Sequence, residues 1–270
     1  MAFRTILVHM NDRYRAAWLL SHVVQLARIS DAHVIGLHVA GSADQARHEL
    51  QHVDKDIAFL ESLFRERTDD ERFSAEWRAI RADRRSAAAA LLRHARPADL
   101  IVVGQTDPEA DPGWLSDAPA RLAIESGRPV LIIPRAYQAA VLPKNVLVAW
   151  NHGREATRAA FDALPLIKGA RSVDLVTIDE GHPADSDESD DVLTTTALAE
   201  ALARHAVRPT ITRLRAEGPV GAQLCTRAMA QEADLIVMGA YGRTQISEMV
   251  FGGVTRYMLA NMPVPVLLAH

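Results

Sequence analysis

Three glycines that follow a buried strand could bind a phosphate group. Gly239 ends an apolar run, Gly242 stands three positions further on, and Gly252 stands ten positions after that. Glycine permits left-handed turns and lets an anion approach the backbone closely. A helical pattern follows, and the N-terminus of a helix adds partial positive charge. This order of strand, glycine turn and helix indicates an anion site whose donors are backbone N–H groups.

Apolar runs that alternate with amphipathic segments predict the scaffold for this turn, because parallel strands covered on both faces have this pattern. The predicted strands are Arg4–His9, His33–Val39, Phe73–Ile80, Leu100–Gly104, Pro129–Ile133, Asn145–Trp150, Ser172–Ile178, Pro209–Leu214, Leu235–Met238 and Pro265–Ala269. The predicted helices are Arg13–Ile29, Ala43–Arg67, Ser86–His94, Leu115–Ser126, Arg154–Ile167, Val192–His205, Val220–Ala230 and Ser247–Ala260. The carboxyl ends of such strands are the usual place for a ligand, at the point where the winding direction reverses.

The two halves of the chain repeat each other. The repeated pairs are Ile6–Asn11 with Val146–Asn151, Asp99–Gly104 with Asp234–Gly239, and Arg128–Ile133 with Val264–Ala269. Their offsets of 140, 135 and 136 residues predict tandem domains. We place these domains at residues 1–137 and 144–270, joined by a linker that Pro134 and Pro143 keep irregular.

The Gly-x2-Gly-x9-Gly spacing, with Val254 and Thr255 behind it, resembles the C-terminal half of a universal stress protein. The resemblance covers both repeats and implies an α/β fold of two tandem, doubly wound, five-stranded parallel sheets, similar to the adenine nucleotide α-hydrolases. In the nucleotide-binding branch of that family the glycine loop wraps the phosphates of ATP. That branch usually has Ser or Thr directly after the third glycine, where this chain has Gly253.

The same resemblance implies a site for ATP or another adenine nucleotide, with Mg²⁺, in the second half. Asn151 stands where the family usually has an Asp that contacts the nucleoside, and Ile178 matches the segment beside adenine. Arg243 follows the second glycine, from which it could reach phosphate. The candidate nucleotide-binding residues are Ala149, Trp150, Asn151, Ile178, Gly239, Gly242, Arg243, Gly252, Gly253, Val254 and Thr255.

The first half lacks the glycine spacing. After Gly104 the chain continues with Gln105, Thr106 and then a stretch, residues 107–113, that carries three acidic residues and two prolines. Negative charge at the end of the strand repels phosphate. We therefore expect this half to keep the fold and to have lost the nucleotide.

Other residues suggest chemistry more weakly. His48 and His52 share a helix face, but zinc sites use three or four ligands and we find no third one nearby, so a solvated face is favoured. The acidic stretch Asp179–Asp191 lacks the ligand order of an EF-hand, and Asp174 fits a polar strand position. Cys225 has apolar neighbours, which favours a structural thiol. We predict no catalytic and no metal-binding residue, and at most slow ATP hydrolysis.

The composition of the chain argues against some classes of function. The chain has 270 residues, 49% of them hydrophobic, and a formal net charge of −4, which argues against a nucleic-acid binder. Its single cysteine is typical of a reducing compartment, and we find no signal peptide or apolar run of membrane-spanning length. We expect a cytoplasmic protein with no membrane or nucleic-acid partner.

Two interpretations stay open. The first is a stress-response protein whose second domain binds an adenine nucleotide and signals to an unknown protein partner. The second is a nucleotide-free interaction module of the same fold, favoured by Asn151 and Gly253. In either case, the resemblance implies that the edge strands around Val130–Ile133 and Val264–Leu268 pair with each other, as is common in the family, to form an intrachain pseudo-dimer that covers both edges, so a homodimer is optional. An α-hydrolase enzyme fits less well, because neither Asn11–Arg13 nor Asn151–Gly153 matches the phosphate loop of those enzymes.

Overall fold

The computed structural model describes residues 2–41, 47–83, 85–106, 115–135, 137, 142–181, 188–241 and 253–270. The chain divides into two compact units, Ala2–Val141 and Leu142–His270. Each unit is an alternation of strands and helices around a parallel sheet. The predicted α/β fold is confirmed, and each half has five parallel strands in a doubly wound order.

The N-terminal half contains five strands and four helices in its described part. They are β1 (Thr5–His9), α1 (Arg13–Ser30), β2 (His33–Gly41), α2 (Arg47–Thr68), β3 (Ala75–Ala82), α3 (Ala87–Ala95), β4 (Leu100–Gly104), α4 (Ala118–Glu125) and β5 (Val130–Ile133). The side chain of Asp12 caps α1 by accepting a hydrogen bond from the N–H of Tyr14. Helix α4 begins at Ala118 rather than at the predicted Leu115, with Pro119 in its first turn, where proline is tolerated.

The described part of the C-terminal half has the same alternation. Its elements are β6 (Asn145–Trp150), α5 (Arg154–Asp162), α6 (Leu164–Ile167), β7 (Ser172–Asp179), α7 (Glu188–Arg204), β8 (Thr210–Arg215), α8 (Val220–Ala230), β9 (Leu235–Gly239), α9 (Gly253–Asn261) and β10 (Val266–Ala269). The prediction of one helix over Arg154–Ile167 is wrong. The helix breaks at Ala163, because Pro165 has no N–H to donate to the preceding turn.

Both sheets have the same strand order. In the first half it is β3-β2-β1-β4-β5, and in the second it is β8-β7-β6-β9-β10, with every pair within a half parallel. The registers correspond as well, since Ile6 pairs with Leu100 and Val146 pairs with Leu235. The winding direction therefore reverses between β1 and β4 and again between β6 and β9.

Aliphatic side chains form the core of each half. Strands β4 and β9 read Leu-Ile-Val-Val-Gly and Leu-Ile-Val-Met-Gly, and the first four residues of each are buried. The aspartate before each of these strands holds the start of the neighbouring strand: Asp99 accepts hydrogen bonds from the N–H groups of Arg4 and Thr5, and Asp234 accepts them from Lys144 and Asn145. The repeated Asp therefore fixes the register at which the central strands begin.

No helix within the described ranges combines the length and the apolar character that crossing a membrane requires.

Candidate functional site

The described candidate residues of the second half lie at one end of its sheet. Strands β6 and β9 are parallel neighbours, and their carboxyl ends are at Trp150 and Gly239. Ile178 is next to the last residue of β7, the other neighbour of β6, and α9 starts at Gly253. The chain thus brings Ala149, Trp150, Asn151, Ile178, Gly239, Gly253, Val254 and Thr255 to the carboxyl end of the sheet. Gly242, Arg243 and Gly252 lie outside the described residues.

Gly239 is required by packing. A Cβ atom at this position would lie 2.5 Å from the backbone nitrogen of Ala156 and 2.7 Å from the carbonyl carbon of Glu155. Both atoms belong to the first turn of α5, which cannot move away without moving the helix. The first glycine of the spaced set therefore lets the end of β9 approach the start of α5.

The chain leaving β9 is tied to the first turn of α9. Tyr241 has a left-handed backbone with φ of 61°, and its N–H donates a hydrogen bond of 3.3 Å to the hydroxyl of Thr255. Thr255 is buried, and burial raises the pKa of the Tyr241 phenol to about 12. Gly253 is exposed, and a Cβ atom there would meet no atom of the described residues within 4 Å. Among the described residues, none fills the space beside Gly253 at the N-terminus of α9, and the Thr255 hydroxyl already accepts a hydrogen bond.

A buried carboxylate follows in the helix turn that packs against Gly239. Asn151 forms a turn in which its side-chain oxygen accepts a hydrogen bond of 3.1 Å from the N–H of Gly153. Glu155 follows in the first turn of α5, and only 8% of its side chain is exposed. Burial raises the pKa of Glu155, but hydrogen bonds from Arg154 and from its own backbone amide outweigh burial and hold the pKa below its usual value. Glu155 is therefore negatively charged at neutral pH.

The turn after β6 also contacts α7. His152 has a left-handed backbone with φ of 62°, its Nδ1 lies 2.9 Å from the hydroxyl of Thr194, and its Nε2 lies 3.6 Å from a carboxylate oxygen of Asp191. Trp150 is buried, and its ring centroid is 5.5 Å from that of His152. These contacts anchor the turn after β6 to α7, the helix in which the acidic stretch ends.

In the first half, the helix turn after the first strand carries Arg15 where the second half carries Glu155, and the acidic stretch at residues 107–113 lies outside the described residues. Arg15, in the first turn of α1, donates hydrogen bonds to the carboxylate of Asp12 and to the carbonyl of Gln105, at 2.5 and 2.8 Å. A Cβ atom on Gly104 would lie 3.8 Å from the guanidinium of Arg15, which is ordinary contact. The sequence analysis assigned no ligand-binding role to Arg15 or Glu155. The signal that could have found them is the charge in the helix turn that follows the first strand of each half.

His9 is a neutral histidine at the end of β1. It is 6% exposed, and its pKa is lowered to about 3, first by burial and then by the neighbouring His38. Because the unfolded chain protonates His9 near pH 6.5 and the folded chain does not, the unfolded state binds more protons in the interval between these values. Because of His9, the free energy of unfolding therefore decreases as the pH falls from about 6.5 towards about 3.

Replacing His9 with glutamine is expected to flatten the pH dependence of unfolding. Between pH 7 and pH 5, His9 should lower the free energy of unfolding of the wild type by about 2 kcal/mol, which is about 1.4 kcal/mol per pH unit below 6.5. The variant should not show this loss. Urea unfolding at both pH values measures the difference, and His205→Gln, at an exposed histidine, is the control. Equal losses in the wild type and His9→Gln would show that His9 is protonated in the folded state.

The structure also bears on the metal and thiol alternatives. His52 is exposed, the side chain of His48 is outside the described part of the chain, and no group of three His, Cys, Asp or Glu residues that could hold a metal lies within that part. Cys225 is half-buried with its Sγ 3.5 Å from the Sδ of Met258, and burial raises the pKa of its thiol. These features fit a structural thiol.

Comparison with known sequences supplies a family for the second half. Residues 143–270 match the model of the universal stress protein family. Among curated proteins, none matches this sequence significantly.

Solved structures resemble the whole chain. A universal stress protein from Archaeoglobus fulgidus DSM 4304 aligns over 98% of this chain and 97% of its own, with 16% identity and a TM-score of 0.74. A functionally unknown protein from Pseudomonas aeruginosa PAO1 aligns over 99% of this chain and 92% of its own, with 16% identity and a TM-score of 0.66. At this identity the likeness shows that the fold is shared over both halves.

Proposed function

We propose, from the premise that residues 143–270 belong to the universal stress protein family and that the tandem chain has its fold, that the C-terminal half binds an adenine nucleotide. The proposed ligand is ATP or another adenine nucleotide with Mg²⁺. Its role is that of a signal in the stress response, which changes the surface offered to a protein partner. We assign no catalytic residue, and any hydrolysis is expected to be slow.

The observation that carries the proposal is the position of the α9 N-terminus after β9, one of the two strands at the reversal point. Gly253 is exposed, has no described atom within 4 Å of the position of a Cβ atom, and is the first described residue of a nine-residue helix. The first N–H groups of a helix have no partner within the helix and favour an anion. Gly253, Val254 and Thr255 would therefore hold phosphate through their backbone amides.

The nucleoside end of the ligand would lie against the end of β6. Asn151 is exposed, and Ala149 and Ile178 are partly exposed on neighbouring strands. An amide side chain can donate to and accept from a ribose or a base. Glu155 packs against Gly239 at the same end of the sheet and is negatively charged, so Mg²⁺ on the phosphates would reduce the repulsion between two negative groups.

Replacing Gly253 with serine is expected to strengthen nucleotide binding about tenfold, because a hydroxyl at this position adds a hydrogen bond to a charged phosphate. A Cβ atom at this position would meet no described atom within 4 Å. Calorimetric titration with Mg-ATP measures the affinity, and Gly253→Ala is the matched control because it adds the Cβ atom alone.

Native mass spectrometry of the wild type with Mg-ATP tests the proposal itself. One nucleotide per chain supports it, and an unliganded mass at millimolar Mg-ATP contradicts it. Serine and alanine variants with the same affinity would show that phosphate does not lie beside residue 253.

The second candidate is the nucleotide-free interaction module, favoured by two observations. Glu155 places a negative charge at the crevice, and the Thr255 hydroxyl is buried and already accepts the N–H of Tyr241. This candidate predicts that Glu155→Gln has no effect on binding because no nucleotide binds to either form. The nucleotide proposal predicts tighter ATP binding to Glu155→Gln when Mg²⁺ is absent, because one repulsive charge is removed.

A further inference from the structure

The sheet of the first half has an exposed edge at β3. This strand pairs with β2 along its whole length and is the outermost strand in the order of its half. The N–H of Val34 on β2 donates to the carbonyl of Ser74, so the even-numbered residues of β3 turn their backbone groups towards β2. The backbone groups that point away from the sheet therefore belong to Ala75, Trp77, Ala79 and Arg81.

These outward backbone groups have no hydrogen-bond partner in the described part of the chain. The bonds that β3 makes beyond β2 come from side chains, those of Arg78 and Arg81. Ala79 is exposed, so no described side chain covers the middle of the edge. A row of unpaired N–H and C=O groups is a template on which another strand can pair.

The corresponding edge of the second half is less open to another strand. There β8 is outermost, and the side chain of Gln223 donates a hydrogen bond of 2.7 Å to the outward carbonyl of Arg215. Arg213 and Arg215 are exposed, and β8 contains no acidic residue. This strand therefore offers no complementary charge to a second copy of itself.

Strand β3, in contrast, carries one acidic and one basic side chain on the same face. Glu76 and Arg78 are two positions apart and form an ion pair. In an antiparallel pair of two β3 strands centred on Trp77, Glu76 lies opposite Arg78 of the second copy, and the reverse pair forms by symmetry. Registers centred on Glu76 or on Arg78 instead place like charges opposite each other, which is destabilising. The charges of β3 thus select one register.

Two histidines complete the surroundings of this ion pair. Nε2 of His33 lies 3.5 Å from a carboxylate oxygen of Glu76, and Nη1 of Arg78 lies 3.4 Å from Nδ1 of His94. Burial, followed by the charges of Arg78 and Arg93, lowers the pKa of His94, so this ring is neutral at pH 7.5. Glu76 and Arg78 are therefore the opposite charges that an added strand meets.

We infer that two copies of this chain associate through their β3 edges, in an antiparallel pair with its twofold axis at Trp77. The outward backbone groups form the hydrogen bonds, and four charges of alternating sign surround the axis. Ala75 and Ala79 lie opposite each other in this register, and their small side chains let the strands approach. Because a pair of short strands forms a small interface, the dimer is expected at about 100 µM protein rather than at about 1 µM. The β3 edge belongs to the first half, so this dimer does not depend on nucleotide binding in the second.

Mixing two charge variants of the full-length protein tests both the surface and the register. Glu76→Arg and Arg78→Glu each place like charges opposite each other, and each alone is expected to be monomeric at about 100 µM in sedimentation velocity. An equimolar mixture is expected to form the dimer again, because every cross-strand pair then joins an acid to a base. Altered folding of either variant could not produce this recovery.

Ala79→Pro removes an outward N–H from both copies and leaves the bonds to β2 intact, so it is expected to weaken association about tenfold. Arg213→Pro is the matched control, because it removes an outward N–H from β8 and should leave the dimer unchanged. A wild type that stays monomeric up to about 200 µM would overturn the inference, and the charges of Arg78 and Arg81 would then be what keeps this edge in solvent. A dimer that Ala79→Pro retains, or a mixture that stays monomeric, would overturn it as well.

Discussion

Replacing Asp174 with alanine is expected to destabilise the C-terminal half by about 3–5 kcal/mol. Asp174 is on β7 and is 7% exposed. One of its carboxylate oxygens accepts hydrogen bonds from Arg227 at 3.0 and 3.2 Å and from Gln231 at 2.6 Å. The other accepts a bond of 2.7 Å from the hydroxyl of Thr212. The carboxylate therefore joins β7, β8 and α8.

The large effect follows from what the substitution leaves behind. Arg227 has a side chain 31% exposed and would lose its ion-pair partner at a largely buried position. Thr212 and Gln231 would each lose a hydrogen-bond partner in the same place. Removing one member of a buried ion pair destabilises a protein far more than the intact pair stabilises it, because the remaining charge is no longer compensated.

Urea unfolding, with hydrogen exchange at the amides of β7 as the local probe, measures this loss. Asp162→Ala is the control, because it removes a carboxylate that pairs with Arg158 on the surface of α5 and is expected to cost about 0.5 kcal/mol. The destabilisation by Asp174→Asn is expected to lie between those of Asp174→Ala and Asp162→Ala, since the amide oxygen still accepts hydrogen bonds. A loss in Asp174→Ala no larger than in Asp162→Ala would show that Arg227 and Gln231 find other partners.

Replacing Gly239 with alanine is expected to cost about 3 kcal/mol, whereas Gly104→Ala in the first half is expected to be nearly neutral. The two glycines end corresponding strands, β9 and β4. The new Cβ atom would lie 2.5 Å from a backbone atom of α5 in one case and 3.8 Å from the end of the flexible Arg15 side chain in the other. Backbone atoms of a packed helix cannot yield as a side chain can, so only the first substitution forces a rearrangement.

Chemical unfolding of the two variants, under identical conditions, gives the comparison directly. Because neither glycine has a positive φ, the difference reports the space around each strand end and not backbone strain. An equal decrease in the free energy of unfolding in the two variants would contradict the packing explanation. A large loss in Gly239→Ala without added nucleotide would show that this glycine is required for folding, whatever the second half binds.

The sequence by itself determined the fold class, the repeat and the end of each sheet at which a site can form. These properties depend on local patterns: apolar runs four or five residues long, helices that alternate with them, and glycines directly after a strand. Strands β4 and β6 and helix α8 begin and end at the predicted residues. The break at Ala163 was also a local matter, since Pro165 is visible in the sequence and removes a backbone donor.

Only the tertiary structure decided what the polar side chains do. Asp174 looks like an ordinary polar strand residue, and its partners Thr212, Arg227 and Gln231 are 38, 53 and 57 positions away. Arg15 and Glu155 lie beside Gly104 and Gly239 in the folded protein, although many residues separate each pair along the chain. Burial and hydrogen bonding depend on such distant neighbours, because the free energy of a polar group is set by what surrounds it in the folded protein and not by its place in the chain.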